Sequence, residues 1–224
     1  MGNLYPYLPT QLPNPEIMKP IPDKTIERLS IYRRNLMAVI NNGTEYLFSH
    51  QLAALMHTTP VQVRRDIMLI GYAGTMRKGY HVGNLVERIG NIIDSRDGKN
   101  VAVVGIGNLG KAIISHFNGK RNKLSIIAAF DNDPKKYGQL FAGIRTYPVS
   151  QINEVVKQQK ISIGIIAVPE ESAEEVAERL VNAGVAGILN YTSRPLSVPA
   201  HVYLEEYDML TSIEKVAYHA KSLV

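Results

Sequence analysis

The chain has 224 residues, 45% of them hydrophobic and 20% charged, a balance that supports packed cores rather than disorder and a length that suits two domains. It contains no cysteine, which excludes disulfides, thiolate nucleophiles and Cys-ligated metals and suits a cytoplasmic protein. The net charge of +5 is uneven: residues 1–90 carry ten Lys/Arg against six Asp/Glu, and residues 91–224 fifteen against fourteen, so the amino-terminal part is better suited to a polyanion.

Residues 1–18, rich in proline and without periodicity, are expected to form a flexible arm with no secretory signal. No uncharged apolar run is long enough to span a bilayer, so no membrane partner is expected. Residues 19–81 are expected to be a winged helix-turn-helix domain. Its first helix runs from residue 23 or 25 to 40, carries Arg28, Arg33 and Arg34, and stops at Asn41-Asn42-Gly43. A short helix over 49–56 follows, capped by Ser49. Thr59 caps a third helix, 60–70, with Pro60 at its first position.

Gln62, Arg64 and Arg65 lie near the start of that third helix, where a recognition helix enters the major groove. Arginine there reads guanine, glutamine reads adenine, and the remaining contacts go to phosphate. The glycine-punctuated stretch 71–80 reads as a two-stranded hairpin, a wing with Arg77 and Lys78 at its tip. With Ser49 and Thr59 at the helix starts, these residues make up the expected set of contacts to double-stranded operator DNA. The blander alternative is a small helical domain with an ordinary basic surface. Residues 82–97 are expected to be a connecting helix and hinge.

Residues 98–208 are expected to be a Rossmann-type, doubly wound parallel-sheet domain, giving an α/β protein overall. Val101–Val104 is an apolar strand that opens into Gly105-Ile106-Gly107-Asn108-Leu109-Gly110, the G-x-G-x-x-G dinucleotide fingerprint. Gly105 makes the tight turn, Gly107 lets the pyrophosphate approach, Gly110 lets helix and sheet pack closely, and the helix start offers N–H groups to an anion. A second strand over 124–130 leads to Asp131, placed to accept ribose hydroxyls, with Asp133 capping the next turn. No arginine is evident beside Asp131 for a 2′-phosphate, which favours NAD over NADP. A strand over 161–168 brings Val168-Pro169 to the crevice, and a strand over 187–190 brings Asn190 and Tyr191. No histidine with a carboxylate partner and no Tyr-x-x-x-Lys pair stands at these strand ends, so binding without catalysis is expected. No His/Asp/Glu spacing suits a metal. Residues 209–224 are expected to form a dimerisation helix with an apolar surface.

These features together resemble the Rex family of redox-sensing transcriptional repressors, from Lys19 onward. The resemblance rests on Arg28-Leu29-x-x-Tyr32, Gln62-Val63-Arg64-Arg65-Asp66, Gly71-x-x-Gly74, Gly79-Tyr80, the glycine fingerprint, Phe130-Asp131-x-Asp133-Pro134, Val168-Pro169, Ala183-Gly184, Gly187-Ile188-Leu189-Asn190 and Asp208. It implies a homodimer with a swapped carboxy-terminal helix, operator binding when NADH is low and release when NADH binds, with NAD+ competing. It also implies an interdomain switch, on which Arg34 and Asp208 match the family's Arg and Asp. His116 stands where the family has a tyrosine, Met209 where it lends an aromatic to the partner's pocket, and Met76 replaces a wing arginine. Asn190-Tyr191-Thr192-Ser193 replaces the usual Asn-Phe-x-Pro. A Rex-like regulator of another adenine nucleotide and a small NAD-dependent oxidoreductase are the competing readings.

Overall fold

The computed structural model describes residues 21–117, 119 and 123–221; the expected proline-rich arm lies outside them. The chain divides into two compact units, with the boundary between Asp94 and Ser95.

The amino-terminal unit is built on α1 (Asp23–Asn41), β1 (Tyr46–Leu47), α2 (Ser49–Leu55), α3 (Pro60–Leu69), β2 (Tyr80–His81) and α4 (Val82–Ile93). One apolar core holds it, with Leu29, Tyr32 and Leu36 of α1, Leu52 of α2, Val63 and Ile67 of α3, and Leu85 and Ile89 of α4 all buried. The helix expected to connect two domains is thus a full member of this core. Its apolar residues recur at helical spacing and give it a face that must be buried.

The wing also differs from expectation. Within 71–80 there is a single bridge, Thr75 to Gly79, with both hydrogen bonds at 2.8 Å. The longer pairing joins β2 to β1, from before α2, in the register Tyr46 to His81 and Leu47 to Tyr80. Residues 71–80 hold three glycines, which weaken strand pairing, whereas Tyr46 and Tyr80 suit a pleated surface.

The carboxy-terminal unit is a seven-stranded sheet flanked by helices. It comprises β3 (Lys99–Val104), α5 (Asn108–Phe117), β4 (Leu124–Asp131), β5 (Leu140–Phe141), β6 (Ile144–Pro148), α6 (Ile152–Gln158), β7 (Ile161–Ile166), α7 (Ala173–Ala183), β8 (Gly187–Asn190), β9 (Tyr203–Glu206) and α8 (Met209–Ala220). The order across the sheet is β5-β6-β4-β3-β7-β8-β9, and every pairing is parallel except β5 with β6. Setting β5 aside, this is the 3-2-1-4-5-6 order of a doubly wound sheet, whose strand order switches sides between β3 and β7 while the strands stay parallel. Ala102, Val104, Ala128, Phe130 and Ile166 fill one face with α6 and α7 residues, while Val101, Val103 and Ala129 pack the other with Ile113 and Ile114 of α5. Strands covered on both faces read as continuous apolar runs, as β3 and β4 do. β6 and α6 complete the first half of the sheet, although 135–160 carries no comparable run.

Candidate functional site

A cleft of about 500 Å³ opens at the ends of β3, β4 and β7, where the strand order switches sides. Gly105 and Gly107 line it after β3, Asp131 and Lys136 after β4, and Val168 and Pro169 after β7. Gly105 takes φ +95°, and a Cβ there would run into the carbonyl of Ala167. Gly107 faces open space, so nothing of the protein would obstruct a group drawn up to its backbone. A Cβ on Gly110 would strike the Gly105 carbonyl, which fixes how closely α5 approaches the turn. α5 begins at Asn108, directly after the cleft-lining Gly107, and the unpaired N–H groups of a helix start favour an anion such as a pyrophosphate.

Asp131 is the electrostatic centre of the cleft. Its Oδ2 accepts from the Ile106 N–H at 2.7 Å and from Lys136 Nζ at 2.9 Å, and its Oδ1 accepts from the Asp133 N–H at 2.9 Å. Burial pushes this carboxyl up, but Lys136 and the two N–H groups outweigh it and hold the group below its ordinary value. A carboxylate offers roughly four acceptor positions, so one stays open to a ribose hydroxyl and a second becomes available when Lys136 moves away. The residues therefore fit an adenine dinucleotide with an unmodified ribose. The cation beside Asp131 is Lys136, and Arg179, held by Glu175 at 2.8 Å, also lines the cleft. Neither was singled out in the sequence; the only signal for Lys136 is its place one turn after Asp133-Pro134.

Because its folded value is lowered, Asp131 stabilises the fold above the unfolded carboxyl value near 3.9, and that contribution is lost as pH falls through the folded value. Asp131→Asn is expected to lower stability by about 2 kcal/mol at neutral pH, with the gap from wild type closing as the pH falls through the folded value. Thermal unfolding at a series of pH values measures this.

The remaining expected cofactor residues do not line the cleft. Asp133 caps a turn, its Oδ1 accepting from the Lys135 N–H at 3.0 Å. Asn108 and Leu109 open α5. Asn190 is fully buried and organises the following loop, donating to the Arg194 carbonyl at 2.8 Å and accepting from the Thr192 N–H at 3.0 Å and its hydroxyl at 2.8 Å. Tyr191 packs edge-on against Tyr207, with ring centroids 5.4 Å apart. Neither Asn190 nor Tyr191 lines the cleft.

In the amino-terminal unit, Thr59 caps α3 by accepting from the Gln62 N–H at 3.2 Å. Ser49 does not cap α2: it is the first helical residue, and its hydroxyl instead accepts from Arg64 Nη1 at 3.0 Å. Arg65 is exposed on α3, flanked by Val61 and Met68 on the same outward face. Arg77 and Lys78 are exposed in the wing, where Lys78 lies over the Tyr46 ring at 5.1 Å. Two of the three α1 arginines are committed internally. Arg28 pairs with Asp66 at 2.7 Å, and Arg33 grips Asp94 through two bonds of 2.7 Å. Arg34 is exposed.

Of the remaining expected switch residues, His116 stands near the end of α5 with its ring edge-on to Phe117. Asp208 caps α8, accepting from the Leu210 N–H at 2.9 Å and the Thr211 hydroxyl at 2.6 Å. Met209 opens α8, a helix that buries none of its residues. Among the described residues, no helix is long and apolar enough to cross a membrane.

Two family models match the chain, one described as a putative DNA-binding protein N-terminus over residues 20–67 and one as a CoA binding domain over residues 96–194. A redox-sensing transcriptional repressor Rex of Syntrophobacter fumaroxidans is 37% identical, covering 89% of this chain and 95% of its own. One of Lactobacillus gasseri is 33% identical over 90% of this chain and 94% of its own. The chain belongs to the Rex family of redox-sensing transcriptional repressors. Among solved structures, the Rex-family repressor RSP in complex with β-NAD+ and operator DNA superposes with a TM-score of 0.84 at 28% identity, covering 91% of this chain and 94% of that one. RSP with β-NADH gives a TM-score of 0.79 at 28% identity, covering 90% and 95%. Both Rex units, the winged helix and the doubly wound sheet, are thus present in this chain.

Proposed function

We propose that this chain is a non-enzymatic, cytoplasmic repressor that binds an inverted-repeat operator as a homodimer when NADH is low and leaves it when NADH binds. The observation that carries the reading is the pairing, in one chain, of a cleft built around Gly105, Gly107 and Asp131 with an α3 that exposes Arg64 and Arg65. The RSP complexes with NAD+, NADH and operator DNA support carrying both ligands over to this chain.

In the cleft, Gly105, Gly107, Asn108, Leu109 and Gly110 form the pyrophosphate turn and Asp131 takes the ribose, with Asp133 fixing the loop that carries it. Val168 and Pro169 line the wall towards the nicotinamide, with Asn190 and Tyr191 shaping the neighbouring loop. On the duplex, Gln62, Arg64 and Arg65 read the major groove, Ser49 and Thr59 lie at the phosphates, and Arg77 and Lys78 reach from the wing. Dimerisation falls to α8, whose Met209, Leu210, Ile213, Val216 and Tyr218 are each more than half exposed and form an apolar surface that a second copy would cover. Arg34, His116, Asp208 and Met209 are the proposed switch residues.

Coupling follows if NADH binds better to the dimer geometry that misplaces the two recognition helices. A tenfold preference corresponds to about 1.4 kcal/mol per site. The test is a titration of NADH, NAD+, ATP and ADP into the complex with an inverted-repeat duplex. NADH is expected to release the duplex and NAD+ to leave it bound. Release by ATP or ADP and not by NADH would reassign the effector, and indifference to all four would refute the coupling. Binding itself is expected to weaken steeply with salt and to fall at least about tenfold in Arg65→Ala.

A further inference from the structure

Asp66 lies within the recognition helix yet is 2% exposed. Its Oδ1 accepts from Arg28 Nη2 at 2.7 Å and Gln62 Nε2 at 2.9 Å, and its Oδ2 accepts from Arg28 Nε at 2.7 Å and the Tyr32 hydroxyl at 2.9 Å. Two donors on each oxygen use up roughly all the positions a carboxylate offers, so Asp66 has none left for DNA. Burial pushes this carboxyl up, but the bonds from Arg28, Tyr32 and Gln62 outweigh it and keep the group ionised at neutral pH. An ionised carboxylate only accepts, so the Gln62 amide must turn its NH₂ towards Asp66 and its oxygen away. The reversed amide would set oxygen against oxygen beside a buried negative charge.

Resting on the operator-binding reading above, we propose that Asp66 is a positioning residue that makes Gln62 a reader of base amino groups. Gln62 Oε1 accepts from adenine N6 or cytosine N4 in the major groove. It rejects guanine and thymine at that place, where their keto oxygens would face it. The geometry for this is local: Gln62 lies one turn before Asp66, in the first turn of α3, half-buried beside the exposed Arg65. Arg28 and Tyr32 of α1 fix the carboxylate from behind, so the amide orientation is set before any duplex arrives.

The test is selection of binding sites from a randomised duplex pool by the full-length protein and three variants. Wild type is expected to enrich A or C over G or T, on the order of tenfold, at one position in each half-site. Gln62→Ala should flatten that position alone. Gln62→Lys, which keeps a donor for Asp66 but offers only donors to the base, should invert it towards G or T. Asp66→Asn removes the charge that forbids the reversed amide, so its amino-over-keto preference should relax while the other positions keep theirs. Unchanged profiles in Gln62→Ala and Gln62→Lys would overturn the proposal, as would a folded Asp66→Asn protein that discriminates as wild type does. If Asp66→Asn does not melt cooperatively, the Gln62→Lys inversion decides alone. Enrichment of no duplex by wild type would instead overturn the operator-binding reading beneath it.

Discussion

Gly105→Ala is expected to cost about 3–5 kcal/mol and lower the melting temperature of the carboxy-terminal unit by roughly 10–20 °C, whereas Gly107→Ala should leave stability within about 0.5 kcal/mol. The two glycines stand two residues apart but meet different neighbours. Gly105 takes φ +95° where β3 ends, its N–H bonded to the Phe130 carbonyl at 2.8 Å, and an added Cβ would meet the Ala167 backbone at the end of β7. A methyl group there pushes apart the two central strands of the sheet as well as adopting a disfavoured backbone. Gly107 meets nothing within 4 Å, so its alanine variant folds. Its methyl group then occupies the space a pyrophosphate needs, and NADH affinity is expected to fall at least about tenfold. Calorimetric unfolding and NADH fluorescence on the two variants separate these effects. Normal NADH binding by Gly107→Ala would contradict the assignment of the cleft.

Arg28→Ala is expected to destabilise the amino-terminal unit by about 3 kcal/mol, at the low end for breaking a buried ion pair because water reaches one partner. The Arg28 side chain is 30% exposed and that of Asp66 only 3%, so the variant leaves a nearly dry carboxylate with two fewer donors. Asp66 titrates below its ordinary value in the fold, so the pair stabilises above about pH 4 and is lost as pH falls through the folded value. Wild type and variant should therefore converge in acid. Replacing both partners, Arg28→Met with Asp66→Leu, should recover part of the loss, because no unpaired charge then remains. Urea unfolding of the three proteins at pH 7 and at a series of falling acid pH values reads both effects. A single variant as stable as wild type at pH 7 would show that the cluster does not anchor α3.

The central features of both units were legible in the sequence because each is a local pattern. The Val101–Val104 run followed by the glycine turn specifies a buried strand and the start of a helix within ten residues. Thr59-Pro60 specifies the start of α3 in the same way. What escaped the sequence is set by distant partners. Lys136 and Arg179 join the cleft because the loop after β4 and the first turns of α7 meet there, and beyond the place of Lys136 after Asp133-Pro134 nothing nearby in the chain marks them. Nothing near the α1 arginines in the chain marks their partners: Asp66 and Asp94, far along it, take Arg28 and Arg33 inward. Asn190 stood at a strand end where cofactor contacts occur, and its burial under Thr192 and Arg194 follows from a loop conformation that no periodicity encodes.

The claim that joins the two units is thermodynamic, and reciprocity gives its sharpest check. NADH affinity should be measured by calorimetry on the protein alone and on the protein saturated with an inverted-repeat duplex, at one salt concentration. The account predicts that the duplex weakens NADH by the same factor by which NADH weakens the duplex, about tenfold or more per site, and leaves NAD+ nearly unaffected. Equal NADH affinity with and without duplex would contradict it, however tightly each ligand bound by itself.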